Sequence, residues 1–124
     1  EITVNVVRPG KSGADEIKAM MENFRAHPLK ELAGLPVVLT KDFKLLQQTD
    51  AQGNVTPLDM PEPSNVLQYF NADGDKVSVR PSGTEPKIKF YMEAKGVMKT
   101  PADHGAAVAA ALAKIDAMKK SLGI

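Results

Sequence analysis

Fourteen residues, Ser78 to Tyr91, read SVRPSGTEPKIKFY and gather an unusual density of hydrogen-bond donors. Arg80 offers a planar guanidinium fork, and Ser82 and Thr84 offer hydroxyls. Gly83 has no Cβ, so neighbouring backbone N–H groups can approach a ligand closely, and it tolerates a positive φ. Pro81 and Pro86 stiffen the two shoulders and lower the entropy lost when the donors are presented. Lys87 and Lys89 stand two apart on one strand face, where Lys89 can add a point charge from the side. A fork, two hydroxyls and a nest of amides are the chemistry of a cradle for phosphate. Each charge-assisted bond to such an anion contributes roughly 1.5–3 kcal/mol. Ser, Gly, Thr and Pro are also ordinary turn residues, so local composition leaves a plain polar hairpin loop as the alternative.

The charge distribution fits a small anion better than a long polyanion. The chain of 124 residues has a net charge of +1. From Lys76 to Lys99, six Lys and Arg residues face only Glu85 and Glu93, an excess of four positive charges, while the remainder carries an excess of three negative ones. Wholesale nucleic-acid binding is not indicated by that balance.

Elements must position the turn, and periodicity supplies them. NVLQYFN and KVSVR flank Asp73-Gly74, a hairpin signal for a two-residue turn. In KVSVR, Val77 and Val79 face one side, Ser78 and Arg80 the other. In KIKFYME, Ile88, Phe90 and Met92 face the core, while Lys87, Lys89 and Tyr91 face away. ITVNVV is a further strand, and LPVVLTKDFKLLQQT holds two strand-like runs around Lys41-Asp42. DAQGNVTPLDMPEPS reads as a loop or loose hairpin.

Two helices complete the pattern. Ser12 is placed to cap the first, with Asp15 three residues on. Ile17, Met20, Met21 and Phe24 form its apolar face, which ends near His27-Pro28. Thr100 caps the second, Pro101 follows at its first position, and Asp103 sits in its first turn. Val108, Ala111, Leu112, Ile115, Met118 and Leu122 make its stripe. The fold class expected is α+β: an antiparallel β-sheet with two helices packed on one face. The length suits one domain over 1–124.

Other chemistries find little support. There is no cysteine, hence no disulfide framework and no thiolate metal site. No apolar run approaches the ~20 residues of a membrane helix. His27 and His104 are far apart and are assigned no catalytic role. Glu85 is read as shaping the turn by accepting backbone N–H bonds, with contact to a sugar hydroxyl as the alternative. The chain starts at Glu1, with no initiator Met, no basic leader and no signal-peptide core, so a segment of a longer protein is expected.

RPSGTEPKIKFY resembles the phosphate-binding signature in the C-terminal domain of the α-D-phosphohexomutases: phosphoglucomutases, phosphomannomutases and phosphoglucosamine mutases. The resemblance extends over essentially the whole chain, through a helix, NVLQYF, the Asp-Gly hairpin, the signature and the Ala-rich last helix. The wording is most similar to the larger bacterial phosphoglucomutase/phosphomannomutase type. What the resemblance implies is the fourth domain of an intramolecular phosphotransferase of carbohydrate metabolism. In such an enzyme a phosphoserine gives its phosphoryl group to a phosphosugar, and the last domain grips the phosphate that is not reacting. The fold implied is that of the TATA-binding-protein class, without any DNA-binding role.

Matched residue by residue, Arg80, Ser82, Gly83 and Thr84 correspond to the loop that holds the phosphate. Lys89 corresponds to a further basic residue on the next strand, a point charge where relatives have Arg. No serine stands in the phosphoserine context, and no Asp-rich metal loop is present. DGDK at 73–76 stops after two carboxylates and falls where a hairpin turn is expected. The resemblance therefore implies an isolated C-terminal domain, inactive by itself, with no catalytic residue, metal or cofactor of its own. Mg²⁺ is expected in the full-length enzyme, bound by other domains. The implied partners are glucose or mannose phosphates and the enzyme's other domains, in the cytoplasm, with no nucleic acid and no membrane. The competing reading is a non-catalytic module that binds acidic protein or RNA through Lys87, Lys95 and Lys99.

Overall fold

The computed structural model describes residues 2–8, 10–83, 85–94 and 104–124. Alternating residues build its sheet. Strands β1 (Ile2–Val7), β8 (Lys87–Glu93), β7 (Lys76–Pro81), β6 (Leu67–Asn71), β3 (Leu35–Asp42), β4 (Gln47–Asp50) and β5 (Val55–Pro57) lie side by side in that order. Every neighbouring pair is antiparallel, and a two-residue strand, β2 (Glu31–Leu32), pairs with the start of β3. Helix α1 (Gly13–Ala26) follows β1, and α2 (His104–Leu122) closes the chain. The expected α+β architecture is the one observed.

One face of the sheet is the core. Leu67, Tyr69, Val77, Val79, Ile88, Phe90 and Met92 are all buried and alternate with outward residues. Ile17, Met21 and Phe24 of α1 and Ile115, Met118 and Leu122 of α2 cover them as one cluster. Phe24 meets Phe90 edge-on, with ring centroids 6.0 Å apart. The Tyr69 hydroxyl donates to the Phe24 carbonyl at 3.4 Å, and burial pushes its pKa well up. Both helices thus lie on one side, and Arg80, Lys89 and Tyr91 alternate to the other.

Several local expectations change. Ser12 stands at the N-cap of α1, yet its side chain makes no capping bond. The β3–β4 reversal occupies residues 43–46 rather than Lys41-Asp42. Asp42 stays in the strand and its carboxylate accepts the N–H groups of Lys44 and Leu45 at 3.0 and 3.2 Å. The β6–β7 loop has three residues, not two: Asn71 N–H donates to the Asp75 carbonyl at 3.0 Å, and Gly74 sits at φ 84°. Asn71 dictates that loop, since its Oδ1 accepts the N–H groups of Asp73 and Asp75. The first part of the Asp50–Ser64 stretch closes a hairpin between β4 and β5, with Gln47 opposite Pro57, and residues 58–64 form a loop. Helix α2 packs on β2 and β8, with Ile115, Met118 and Leu122 buried, while Val108 and Leu112 of the expected stripe are 44% and 54% exposed. Thr100, Pro101 and Asp103 lie outside the described residues, as do Lys95 and Lys99. Among the described residues, no helix is long and apolar enough to cross a membrane.

Candidate functional site

Register fixes which loops meet. Val7 is opposite Lys87, Pro81 opposite Ile88, Leu67 opposite Val79, and Asp42 opposite Leu67. The β1–α1 loop, the β3–β4 turn, the segment before β6 and the signature turn therefore crowd one end of the sheet. Backbone bonds tie them: Arg8 N–H to the Pro86 carbonyl at 2.8 Å, and Phe43 N–H to the Val66 carbonyl at 3.0 Å.

The signature turn is held by its own residues. Ser82 N–H donates to the Lys87 carbonyl at 2.9 Å, closing the hairpin, and Lys87 N–H donates to the Glu85 carbonyl at 2.8 Å. Ser82 Oγ accepts the Glu85 N–H at 3.3 Å. Two of the amides expected to face a ligand are thus spent on the turn itself, and Gly83 remains, exposed and with φ outside the left-handed region. A Cβ at Gly83 would meet nothing within 4 Å, so the glycine keeps an open approach rather than a strained bend. The Glu85 backbone shapes the turn, while its carboxylate pairs with Lys87 Nζ at 3.5 Å. Thr84 lies outside the described residues.

The two remaining predicted site residues are brought together. Arg80 and Lys89 are direct cross-strand partners, with Asn5 beyond Lys89 on β1. Like charges directly opposite destabilise a ladder. The contrast is internal to the hairpin: at its far end Lys76 is opposite Glu93 and pairs with it at 3.6 Å. Neither Arg80 nor Lys89 has a carboxylate within 4.0 Å among the described residues. The turn end of β7–β8 carries a surplus of charge that an anion would relieve.

Sequence reasoning missed a second feature of this end. On the helix side of the turn opens a cavity of about 430 Å³, floored by Ile17 and Met21 and walled by Lys18, Arg25, Lys44 and Ser82. Arg80 and Lys89 do not line it. The available signal was the stripe Ala14, Lys18, Glu22 and Arg25, one helical face beside the apolar one, with Lys11 just before the helix.

The DGDK motif is structural. Lys114 Nζ lies 3.2 Å from Asp73 and 3.0 Å from both oxygens of Asp75, which is fully buried. Desolvation lowers the Lys114 pKa, but the hydrogen bonds and charges of Asp75 and Asp73 outweigh it and leave the group raised. An ammonium already fills that carboxylate pair, so it does not suit a metal ion. No group of three or more His, Cys, Asp or Glu side chains that could hold one occurs among the described residues.

These observations define a class first: an α+β domain with a stiff cationic hairpin at one end of an antiparallel sheet. The family model for the phosphoglucomutase/phosphomannomutase C-terminal domain matches residues 1–115, and the chain belongs to that family. Similar proteins include phosphoglucomutases of Staphylococcus epidermidis (37% identical over 84 residues), Staphylococcus haemolyticus (33% over 84) and Staphylococcus aureus (36% over 87). The matches cover 67%, 67% and 69% of this chain and 15% of each relative. The chain thus spans about 15% of the length of these relatives.

Proposed function

We propose that residues 1–124 form the single C-terminal domain of a larger, four-domain phosphohexomutase and bind the non-reacting phosphate of a phosphohexose. Arg80, Ser82, Gly83, Thr84 and Lys89 hold that phosphate. The observation that carries the reading is the uncompensated Arg80–Lys89 pair across the end of the signature hairpin. A phosphate dianion on the open face of the sheet interacts with both cations and removes their mutual repulsion. The Ser82 hydroxyl and Gly83 amide complete the shell from the turn. Glucose and mannose phosphates are the ligand class.

No bond-breaking step is assigned to this chain. Its part is to bind, orient and release. Because both ends of the sugar carry phosphate in turn, one grip serves two sugar orientations, while the reacting phosphoserine and its Mg²⁺ belong to the other domains. The carboxylate pair that resembles a metal loop, Asp73 and Asp75, is bridged by Lys114.

An NMR titration of the isotope-labelled chain with glucose 1-phosphate tests this. Millimolar binding, worth about −4 kcal/mol, is expected, with shifts at Ser82, Gly83 and Thr84. Arg80→Ala removes a charge-assisted contact of roughly 1.5–3 kcal/mol, so affinity falls about tenfold to a hundredfold. Shifts elsewhere, or shifts that survive Arg80→Ala unchanged, refute the assignment.

A further inference from the structure

We propose that the open edge of β1 is an interaction surface, and that its partner is a second copy of this chain, joined strand to strand about a two-fold axis. β1 stands at one end of the sheet and has β8 as its one neighbour among the described residues. Just past the strand, the Arg8 N–H donates to the Pro86 carbonyl at 2.8 Å. Opposite residues of an antiparallel ladder alternate between bonded and non-bonded pairs, so Val6, Val4 and Ile2 share the bonds to β8. The N–H and C=O groups of Thr3, Asn5 and Val7 therefore point away from β8 along the edge, and all three residues are exposed. One of these groups, the Val7 carbonyl, meets the Arg8 guanidinium at a long 3.4 Å.

The two ends of the sheet are built differently. At the far end, β5 has three residues and finishes on Pro57, which has no N–H; shortness and proline are devices that blunt an edge. β1 has six residues, ITVNVV, of which five are β-branched and none is charged or proline. An edge of that kind is a template for another strand. Its pattern selects the occupant. The outward groups are centred on Asn5, so two antiparallel copies meet with Asn5 opposite Asn5, Thr3 opposite Val7 and Val4 opposite Val6, and each copy makes the same bonds. No like charges face each other in that register, and Glu1 before the strand and Arg8 after it bring ends of opposite sign together. A charged partner strand would find nothing in ITVNVV to recognise it. Six residues span only ~20 Å of strand, so the dimer is weak, with a Kd of roughly 10 μM to 1 mM.

Sedimentation equilibrium of the 124-residue chain across that concentration range tests this, with amide hydrogen exchange measured at both ends of it. A monomer–dimer equilibrium is expected, and exchange at Thr3, Asn5 and Val7 should slow as concentration rises. Two double variants probe the register. Thr3→Lys/Val7→Glu sets opposite charges across the axis twice and should dimerise at least as tightly as the parent. Thr3→Glu/Val7→Glu sets like charges there and should dimerise at least about tenfold more weakly than the first variant. The inference is overturned if the parent chain stays monomeric throughout, if species larger than a dimer accumulate, if the two variants dimerise alike, or if exchange at the three amides ignores concentration. None of these outcomes depends on the phosphate reading.

Discussion

Replacing Gly13 by Ala sets two effects of opposite sign against each other. In an exposed helix, Gly→Ala stabilises by about 0.5–1 kcal/mol, through helix propensity and reduced freedom of the unfolded chain. Gly13 is the first residue of α1 and is buried. A Cβ there would overlap the Arg8 carbonyl oxygen and stand 3.0 Å from Pro86 Cβ. The obstruction is backbone, pinned by the Arg8 N–H bond to the Pro86 carbonyl at 2.8 Å, so no side-chain rotation relieves it. Forced repacking of this kind costs roughly 1–3 kcal/mol, and a backbone shift places it in the upper part of that range. The balance is a loss of about 1–2 kcal/mol. With a urea slope of ~1–3 kcal/mol/M, the unfolding midpoint falls by roughly 0.3–2 M. Gly105→Ala is the matched control: an α2 glycine, exposed, with nothing within 4 Å of its added Cβ. Its midpoint should rise slightly. Should Gly13→Ala unfold at or above the parent midpoint, α1 does not seat on the shoulder of the signature turn as described.

Two further outcomes follow from the polar contacts. Lys114→Met leaves the buried Asp75 carboxylate short of its cation and should cost about 2–3 kcal/mol by denaturant titration. Because the folded-state pKa of Lys114 lies above its ordinary 10.5, this stability is complete below that pH and is lost as pH rises through the folded value. The alkaline decline should be weaker in the variant, and an identical decline in both would dismiss the coupling. Asp50 accepts the N–H groups of Asn54 and Gln52 at 2.9 Å, and these bonds, Asn54 first, hold its pKa below the ordinary 3.8. The Asp50 turn is therefore braced above pH 3.8 and loosens as pH falls through the lower folded value, which an NMR pH titration of Asp50, Gln52 and Asn54 reads directly.

Regions where one face is buried were legible in the sequence. Val77, Val79, Ile88, Phe90 and Met92 alternate strictly, and the structure buries all five. Ile17, Met21 and Phe24 likewise declare the inner face of α1. What escaped was set by partners distant in sequence. Strand β2 is two residues long, too short for any period, and exists because Ala33 and Gly34 at positive φ turn it onto β3. Leu112 belongs to an apolar stripe, but a periodic pattern does not say where the sheet beneath the helix stops. The donors of the signature turn were visible by type. Their assignments were not, because Ser82 N–H and Glu85 N–H close the turn and only the fold shows this. The juxtaposition of Arg80 and Lys89 required the hairpin register, which the turn length alone decides.

The signature hairpin concentrates like charge at the end where phosphate binding is proposed. Two unit charges about 6 Å apart repel by roughly 0.7–3 kcal/mol for an effective dielectric between 80 and 20. Such a penalty at Arg80 and Lys89 would splay a loose hairpin and dissipate. Here Pro81 and Pro86 limit the backbone, Ser82 Oγ braces the turn, and the Arg8 amide fastens the Pro86 shoulder to the neighbouring loop. The backbone cannot splay to part the two strands, and on the proposed reading an anion would offset the repulsion that side-chain rotation leaves. Lys76 and Glu93, at the other end of the same two strands, show that opposite charges fit this ladder equally well. A pairing that favoured stability alone would place a carboxylate opposite Arg80. The lysine found there is what the proposed phosphate grip would call for.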